Sequence, residues 1–205
     1  MWQSMKKTYR VNEIFYSLQG EGYYSGTPAV FVRFSGCNMA CPWCDTNHSA
    51  AHEMTAGEIV AAIEHAWQEK QTNKPQDTRP FVVLTGGEPA LQVDETLIHA
   101  MTANGFRLSI ETNGTRALPE HGIDWVTCSP KPHSHLHIHE ADEVKVVFDG
   151  KTDPEQWRKE INATHWFLQP LHDGAHSNAA EVVQYILAHP YWRLSLQSQK
   201  ILNIK

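Results

Sequence analysis

Three cysteines lie close together in the segment GCNMACPWCDTNH, Gly36–His48. Their spacing is C-x3-C-x2-C, and the residues are Cys37, Cys41 and Cys44. Thiolates at this spacing on one loop can reach a single metal centre. A structural zinc site needs four ligands, and His48 or Cys128 is available as the fourth. An iron–sulfur cluster held by only three cysteines would instead keep one iron open, as a catalytic metal requires.

The composition of the 205-residue chain indicates where such a centre would operate. The chain is 41% apolar and 20% charged, as globular proteins are, and its formal net charge is −6. The negative charge argues against broad binding to nucleic-acid phosphates. No apolar run fits a signal peptide or the roughly 20 residues of a membrane span. We therefore expect a cytoplasmic protein that binds neither membranes nor nucleic acid directly, in which clustered cysteines favour metal or redox chemistry over disulfides.

Apolar β-type segments alternate with helical segments along the chain. The predicted strands are Glu13–Gln19, Ala29–Ser35, Pro80–Thr85, Arg107–Thr112, Trp125–Ser129, Glu143–Phe148, His165–Gln169 and Trp192–Gln197. Helices are predicted to begin at Thr55, where TAGE has the form of a capping box, and near Pro154, and to cover Asp94–Asn104 and Asn178–Ala188. The alternation predicts one α/β domain over residues 1–205 with a mostly parallel sheet. The length suits a partial, open β/α barrel better than a full eight-unit barrel of about 250 residues.

Four of the predicted strands end in polar or glycine-rich sequence. These tails are TGGEP (Thr85–Pro89), ETNG (Glu111–Gly114), SPK (Ser129–Lys131) and QPLHD (Gln169–Asp173). Ligand sites in parallel α/β folds gather at the carboxyl ends of the strands. We therefore expect the four tails to surround one site.

The segment CNMACPWC resembles the cluster loop of the radical S-adenosylmethionine enzymes, in which an aromatic residue precedes the last cysteine, as Trp43 does here. TGGEP is similar to the GGEP motif of the same superfamily, where glycine leaves room for close approach of the backbone to a ligand. The resemblance implies a partial-barrel fold and a 4Fe–4S cluster on the three cysteines. It also implies that S-adenosylmethionine chelates the open iron, so that His48 is not needed as a ligand.

A finer resemblance, to the 7-carboxy-7-deazaguanine synthase family, covers nearly the whole chain. The matching segments are Glu13–Gly22, Val32–Thr46, Thr85–Pro89, Glu111–Thr115, Ser129–Lys131, Asp142–Phe148 and Phe167–Leu171. The resemblance implies a carbon–nitrogen lyase of queuosine-precursor biosynthesis, in the pathway of a tRNA modification. It would convert 6-carboxy-5,6,7,8-tetrahydropterin to 7-carboxy-7-deazaguanine with loss of ammonia. A cofactor-derived radical would abstract the substrate hydrogen, so no catalytic side chain is predicted.

The same resemblance implies binding residues. The substrate is expected to contact Leu18, Gln19, Gly20, Arg33 and Thr85, with Arg33 pairing with its carboxylate. Mg²⁺ is expected at Thr46, against that carboxylate. S-adenosylmethionine is expected to contact Gly87, Ser129, Pro130, Lys131, Gln169, Pro170, Leu171 and His172, with contributions from Glu111, Thr112 and Asn113. The residues alone leave other interpretations open, namely a solvent-facing strand position for Arg33, a turn or helix cap for the DT pair, and a helix cap for Thr112.

Other functions and partners also follow from these patterns. The resemblance implies a homodimer and an electron donor such as flavodoxin. A second enzyme hypothesis is an activase that places a glycyl radical on a partner protein, which would need neither a pterin pocket nor Mg²⁺. A third hypothesis is a non-catalytic zinc or iron–sulfur protein. The alternating histidines His133, His135, His137 and His139 favour a solvated loop over a metal tract, and no role is predicted for the residues after Gln197.

Overall fold

One mixed sheet contains all the strands in the described part of the chain, which is residues 7–69, 79–172 and 176–205 of a computed structural model. The strands are β1 (Thr8–Leu18), β2 (Pro28–Phe34), β3 (His52–Thr55), β4 (Phe81–Gly86), β5 (Arg107–Thr112), β6 (Trp125–Cys128), β7 (Glu140–Phe148), β8 (Asn162–Pro170) and β9 (Arg193–Leu194). Their order across the sheet is β3-β1-β2-β4-β5-β6-β7-β8-β9. In the part of this order that runs from β2 through β4 to β9, each strand is parallel to the next. Strand β1 is antiparallel to both of its neighbours, β2 and β3. The two edge strands do not pair, so the predicted open, mostly parallel sheet is confirmed.

Five α-helices accompany the strands in the same described ranges. They are α1 (Ala56–Glu69), α2 (Glu95–Ala103), α3 (Trp157–Glu160), α4 (Ala179–Ala188) and α5 (Ser198–Leu202). The predicted capping box begins α1, because Thr55 N–H donates to the Glu58 carboxylate at 2.7 Å and Glu58 N–H donates to Thr55 Oγ1 at 3.3 Å. Asp94 caps α2 by accepting from Leu97 N–H at 3.0 Å. None of the described helices is long and apolar enough to span a membrane.

Several element predictions are wrong in detail. The strand predicted over Trp192–Gln197 is only two residues long, Arg193–Leu194, and helix α5 begins directly after Gln197. The helix predicted near Pro154 is a 3-10 turn followed by the single turn of α3. Strand β3 and helix α5 were not predicted. The four residues of β3 are too polar and too few for a strand signal, and their pairing with β1 produces the strand.

The two faces of the sheet bury different side chains. The outer face includes Val30, Val32 and Leu84 and packs against Ile59 of α1 and Leu97 of α2, all of which are fully buried. A second outer cluster on the β7–β8 side has a core that includes Val144, Leu168, Trp166 and Trp192. A smaller cluster on the inner face consists of buried residues from β2 and β4, which are Ala29, Phe31, Phe81 and Val83. The polar side chains of the inner face therefore lie beside a packed apolar cluster of the same face.

Strand β1 changes which residues face the core part-way along its length. Tyr9 and Val11 pack into the outer core, but further on it is Ile14 and Tyr16 that do so. The change of parity coincides with a register shift between Val11 and Glu13 in the pairing with β2. Such a bulge adds one residue to one strand and reverses the alternation after it. Because of the bulge, Phe15 stacks on Phe31 of the inner face, with ring centroids 5.1 Å apart.

Candidate active site at the carboxyl ends of the strands

A cavity of about 410 Å³ opens at the carboxyl ends of the parallel strands. Its walls include residues of all four predicted strand tails, together with the cysteine loop and the loop after β1. Of the residues predicted to bind substrate, cofactor or metal, Pro130 alone is absent from the cavity wall, and it is buried. The last residue of the QPLHD tail, Asp173, lies outside the described residues. The tails thus meet around one site, as the sequence predicts for a parallel sheet.

The cysteine loop forms one wall of the cavity. Cys37, Cys41 and Cys44 all line the cavity, and Cys44 N–H donates to the Cys41 carbonyl at 3.0 Å to close a turn between them. The loop is closed at its base where Gly36 N–H donates to the His48 carbonyl at 3.1 Å. In the ranges described, no three His, Cys, Asp or Glu side chains form a group suited to a single metal ion.

Cys128 does not join the other cysteines. It is fully buried in the outer core beside Leu136, and it is not part of the cavity wall. Burial raises the pKa of its thiol to about 12. Cys128 is therefore a core residue rather than a fourth ligand.

The glycines of TGGEP allow three backbone segments to approach one another. Gly86 has a φ of +131°, and a Cβ there would overlap the backbone of Phe34 in β2. A Cβ on Gly87 would overlap the carbonyl oxygen of Gly36, at the base of the cysteine loop. That carbonyl instead accepts from Glu88 N–H at 2.9 Å. Glycine is thus required by contact between strand β4 and the cysteine loop, in addition to any approach to a ligand.

Glu88 of the same motif joins β4 to β5. Its side chain is fully buried and accepts from Thr112 Oγ1 at 2.7 Å, from Asn113 N–H at 2.7 Å and from Ala90 N–H at 2.9 Å. Burial raises the pKa of this carboxyl, although the three hydrogen bonds oppose that shift. The hydroxyl of Thr112 also accepts from Gly114 N–H at 3.1 Å. Thr112 therefore holds the ETNG tail in place and does not cap a helix.

The loop after β1 is drawn down onto the strand ends. Its ends are joined by Gln19 N–H donating to the Thr27 carbonyl at 2.8 Å. The Gln19 side chain donates to Glu111 Oε1 at 3.1 Å. A Cβ on Gly20 would overlap the Gln199 side chain, and one on Gly22, whose φ is +67°, would overlap the carboxylate of Glu143. The two glycines of QGEG are thus required by packing.

A buried ammonium group lies beneath this loop. Lys145 Nζ is 2.6 Å from Glu21 Oε2 and 3.0 Å from Glu111 Oε2, and its side chain is 7% exposed. Burial lowers the pKa of Lys145, but Glu111 and Glu21 together raise it above its usual range. Burial also raises the pKa of the nearby Glu143 carboxyl to about 7. Glu111 was predicted to contribute to S-adenosylmethionine binding, whereas no role was predicted for Lys145, Glu21 or Glu143. The available signal was a lysine within the apolar strand sequence EVKVVF.

The C-terminal segment contributes Gln197, Gln199, Lys200 and Lys205 to the cavity wall. Ser198 N–H donates to the Gly20 carbonyl at 3.0 Å. The Gln197 side chain donates to Glu21 Oε1 at 2.9 Å and to Asp45 Oδ2 at 3.1 Å, and Lys200 forms an ion pair with Asp45. Helix α5 therefore connects the QGEG loop with the segment after the last cysteine. Thr46 lies at this junction, lines the cavity and donates to Asp45 Oδ1 at 3.4 Å.

Arg33 faces the cavity rather than solvent. It lies next to Thr85 in the register of β2 with β4, and both line the cavity. Its Nε donates to Glu13 Oε1 at 2.9 Å, and its guanidinium lies 5.7 Å from the ring centroid of Phe15. Because this ion pair uses only Nε, the two terminal nitrogens of Arg33 remain available to a ligand in the cavity.

The alternating histidines have a packing explanation. His133, His135, His137 and His139 are exposed, whereas the intervening Leu136 and Ile138 are buried. Backbone N–H groups of His137 and Ile138 donate to the Gly114 carbonyl at 2.8 and 3.2 Å. The histidines are therefore the exposed positions of a segment that is held on the protein by Leu136 and Ile138.

Comparison with known proteins identifies the family. The model of the radical SAM superfamily matches residues 31–159. The 7-carboxy-7-deazaguanine synthase of Bacteroides thetaiotaomicron is 50% identical over 196 residues, covering 96% of this chain and 98% of that protein. The synthase of Nitratidesulfovibrio vulgaris is 43% identical, covering 96% and 99%. The chain belongs to the 7-carboxy-7-deazaguanine synthases, within the radical SAM superfamily. The crystal structure of QueE from Escherichia coli matches it with a TM-score of 0.70 at 26% identity, covering 93% of this chain and 94% of that one.

Membership implies a 4Fe–4S cluster and S-adenosylmethionine as cofactors, and the cavity fits both. Three thiols line one wall, which is the donor set that iron requires. Trp43, in the same wall, has a buried indole N–H without a hydrogen-bond partner among the described residues. Such a donor indicates a polar ligand beside it. The predictions of a radical S-adenosylmethionine lyase and of these two cofactors are confirmed.

Proposed function

We propose that this enzyme converts 6-carboxy-5,6,7,8-tetrahydropterin to 7-carboxy-7-deazaguanine and ammonia in the cavity at the carboxyl ends of the strands. The observation that carries the proposal is that the QGEG loop, Arg33 and the three-cysteine loop line one cavity. A glycyl-radical activase would share the cysteine loop, but it would not need a loop and a cation placed for a small anionic substrate. A non-catalytic zinc protein would not need the cavity.

The cofactors are assigned to the wall that includes the cysteine loop and the strand tails. Cys37, Cys41 and Cys44 hold the cluster. S-adenosylmethionine contacts Gly87, Ser129, Pro130, Lys131, Gln169, Pro170, Leu171 and His172. When bound, the two groups supply the radical that removes a hydrogen atom from the substrate. The protein orients these groups through strand ends that are fixed to one another, as by the Glu88 carboxylate between β4 and β5.

The substrate is assigned to the carboxyl ends of β1, β2 and β4. Leu18 ends β1 and is followed by Gln19 and Gly20, and Thr85 is the next-to-last residue of β4, beside Arg33 in the sheet register. Arg33 pairs with the substrate carboxylate, since a guanidinium presents two terminal nitrogens to two carboxylate oxygens. The buried Lys145 holds the QGEG loop against the strand ends through Glu21. The chain's own residues thus bind and orient the substrate and exclude water around it.

We assign a magnesium ion to Thr46. Its hydroxyl lies in the cavity wall beside the carboxylate of Asp45, and both supply the oxygen ligands that Mg²⁺ accepts. An ion there would lie between the segment after the last cysteine and the substrate carboxylate. The ion pair of Asp45 with Lys200 supports a preference for cations at this position.

We further propose a single domain over residues 1–205, a homodimer, a cytoplasmic location and an electron donor such as flavodoxin. The single sheet that includes all described strands supports one domain.

Light scattering of the reconstituted enzyme tests the dimer, for which a monomer mass would be the contrary result. Reduction of the cluster by purified flavodoxin tests the donor, because a failure of electron transfer would exclude it.

Anaerobic reconstitution tests the function. The enzyme is loaded with iron and sulfide and incubated with reductant, S-adenosylmethionine and carboxytetrahydropterin, and the products are separated by mass. Formation of 7-carboxy-7-deazaguanine is expected. Deoxyadenosine without substrate turnover would favour the activase, and a colourless, zinc-loaded protein would rule out both enzymes.

A pair of cysteine variants provides the matched control. Cys37→Ala removes a cavity thiol and is expected to abolish both the iron–sulfur absorbance and turnover. Cys128→Ala removes a buried thiol outside the cavity and is expected to retain both. Equal loss in the two variants would contradict the assignment of the cluster.

A further inference from the structure

The bulge in β1 directs one carboxylate into the cavity region. Without the register shift between Val11 and Glu13, the alternation that buries Tyr9 and Val11 would place Glu13 against the helices. With it, Glu13 lies opposite Arg33 in the β1–β2 register and points to the same face as Phe15. The extra residue of the bulge, Asn12, is held by its side chain donating to the Ala50 carbonyl at 2.9 Å. Bulges beside functional sites commonly re-aim side chains toward the site, and here Glu13 is the charged residue that this bulge redirects together with Phe15.

The Glu13 carboxylate connects two cations. Its Oε1 accepts from Arg33 Nε at 2.9 Å, and its Oε2 is 2.5 Å from Lys205 Nζ. Both cations lie over the ring of Phe15, at 5.7 Å for Arg33 and 4.9 Å for Lys205. The Ser17 hydroxyl, two residues further along β1, donates to the Lys205 carbonyl at 2.5 Å. One carboxylate thus fixes the direction of a guanidinium and of an ammonium at the cavity wall.

The ion pair leaves Arg33 in a defined orientation. Because Nε is occupied by Glu13, the two terminal nitrogens are the donors left for a ligand in the cavity. Arg33 and Glu13 are 22% and 28% exposed, so neither side chain moves freely in solvent. The group of one carboxylate and two cations has a net charge of +1, which complements a single substrate carboxylate.

We propose that Glu13 is a positioning residue, which orients Arg33 and Lys205 toward the carboxylate of the substrate and so determines preference for a 6-carboxylated pterin. This inference rests on the proposed function, in which Arg33 binds that carboxylate. Glu13 acts through the two cations and does not itself touch the substrate. A simple charge effect would have the opposite sign, because removal of a negative charge alone would strengthen the binding of an anion.

Steady-state kinetics of three variants tests the proposal. Glu13→Ala is expected to raise the KM for carboxytetrahydropterin about tenfold with less than about a threefold change in kcat, since the orientation of the fork is lost. Glu13→Gln retains an acceptor for Arg33 Nε and is expected to raise KM only about threefold. Glu53→Ala, which removes an exposed glutamate of β3 outside the cavity, is the matched control and is expected to leave KM unchanged. Iron content and circular dichroism establish that each variant is folded.

A ligand without the carboxylate separates positioning from general damage. Tetrahydropterin is expected to bind wild type and Glu13→Ala equally in calorimetric titrations. If Glu13→Ala left the KM within twofold of wild type, or weakened tetrahydropterin to the same extent, the inference would be wrong. Should Glu13→Ala fail to fold, the test passes to Glu13→Gln, whose effect on KM is expected to disappear in an Arg33→Lys background. An equal effect in both backgrounds would overturn the inference.

The Arg33→Lys variant also separates failure of the substrate assignment to Arg33 from failure of the positioning role of Glu13. It is expected to raise KM by itself, because an ammonium cannot reproduce the two parallel bonds of a guanidinium. An unchanged KM would mean that Arg33 does not bind the carboxylate, and the assignment under the proposed function would fail. A raised KM for Arg33→Lys combined with an unchanged KM for Glu13→Ala would refute the role of Glu13 alone.

Discussion

Replacement of Lys145 by methionine tests whether the buried ammonium holds the QGEG loop on the sheet. Lys145 Nζ lies within 3.0 Å of carboxylate oxygens of both Glu21 and Glu111. Methionine has a similar length and volume but no charge, so the change removes both ion pairs without opening a large cavity. The two glutamates would then lie buried with no cation between them.

The expected cost follows from this loss of pairing. Removing one partner of a buried ion pair costs about 3–5 kcal/mol, because the remaining charge stays desolvated. In a chain of this size each kcal/mol corresponds to roughly 2–4 °C in Tm. We therefore expect the Tm of Lys145→Met to fall by about 6–20 °C at pH 7.

The loss of stability in Lys145→Met also depends on pH. Burial raises the pKa of Glu21, but the pairing with Lys145 outweighs burial and lowers it. A carboxyl with a lowered pKa stabilises the fold above its unfolded value of about 4.3 and loses that effect as the pH falls. The pKa of Lys145 is raised, so its contribution persists below about pH 10.4 and is lost as the pH rises through its folded value. The difference between variant and wild type should thus be largest from about pH 5 to 10 and shrink on acidification.

Thermal unfolding followed by circular dichroism measures the effect, with proteins of equal iron content at a series of pH values. Lys159→Met, on the exposed side of α3, is the matched control and should shift Tm by less than about 2 °C. Adding Glu111→Gln to Lys145→Met should recover part of the loss, because one buried charge fewer is left unpaired. The reasoning is refuted if Lys145→Met unfolds within 2 °C of the wild type at pH 7, or if the loss is as large at pH 4.

Three further changes test other parts of the site. The stability of the wild type should decline between about pH 4.3 and 7, because a carboxyl whose folded pKa is raised to about 7 weakens the fold as it ionises. Glu143→Gln should flatten this decline. A decline of equal slope in the variant's unfolding curves would contradict the assignment. Gly87→Ala should lower the iron content and the affinity for S-adenosylmethionine, because its Cβ would overlap the Gly36 carbonyl, whereas Gly57→Ala, in open space on α1, should lower neither. Thr46→Val should weaken the dependence of kcat/KM on Mg²⁺, and an unchanged dependence would show that the metal lies elsewhere.

The sequence predicted the elements whose signals are local. The strand Phe81–Gly86 begins with the apolar run FVVL, all four of whose residues are buried, and burial on both faces of a parallel sheet explains this pattern. The helix start at Thr55 was found from a capping motif that involves only neighbouring residues. The polar tails were placed together by the general geometry of parallel strands. The residue assignments within the site came from the family resemblance.

The features that the sequence did not predict depend on distant residues. Lys145 and its partners Glu21 and Glu111 come from three separate segments, and no local pattern connects them. The bulge before Glu13 reverses the direction of side chains within a strand that still reads as continuous. Helix α5 has no buried residue, so its sequence lacks a core-facing stripe, and it is held by polar contacts with the QGEG loop and Asp45.

The hydrogen bonds of Glu88 have a consequence for how the site can change in evolution or by design. One carboxylate fixes the relative position of the ends of two strands, so the TGGEP and ETNG segments cannot be varied independently. A substitution in one segment alters what the other tolerates, and the combined effect of two changes will differ from the sum of the single effects. Libraries that seek new substrates should therefore vary Glu88 and Thr112 only as a pair.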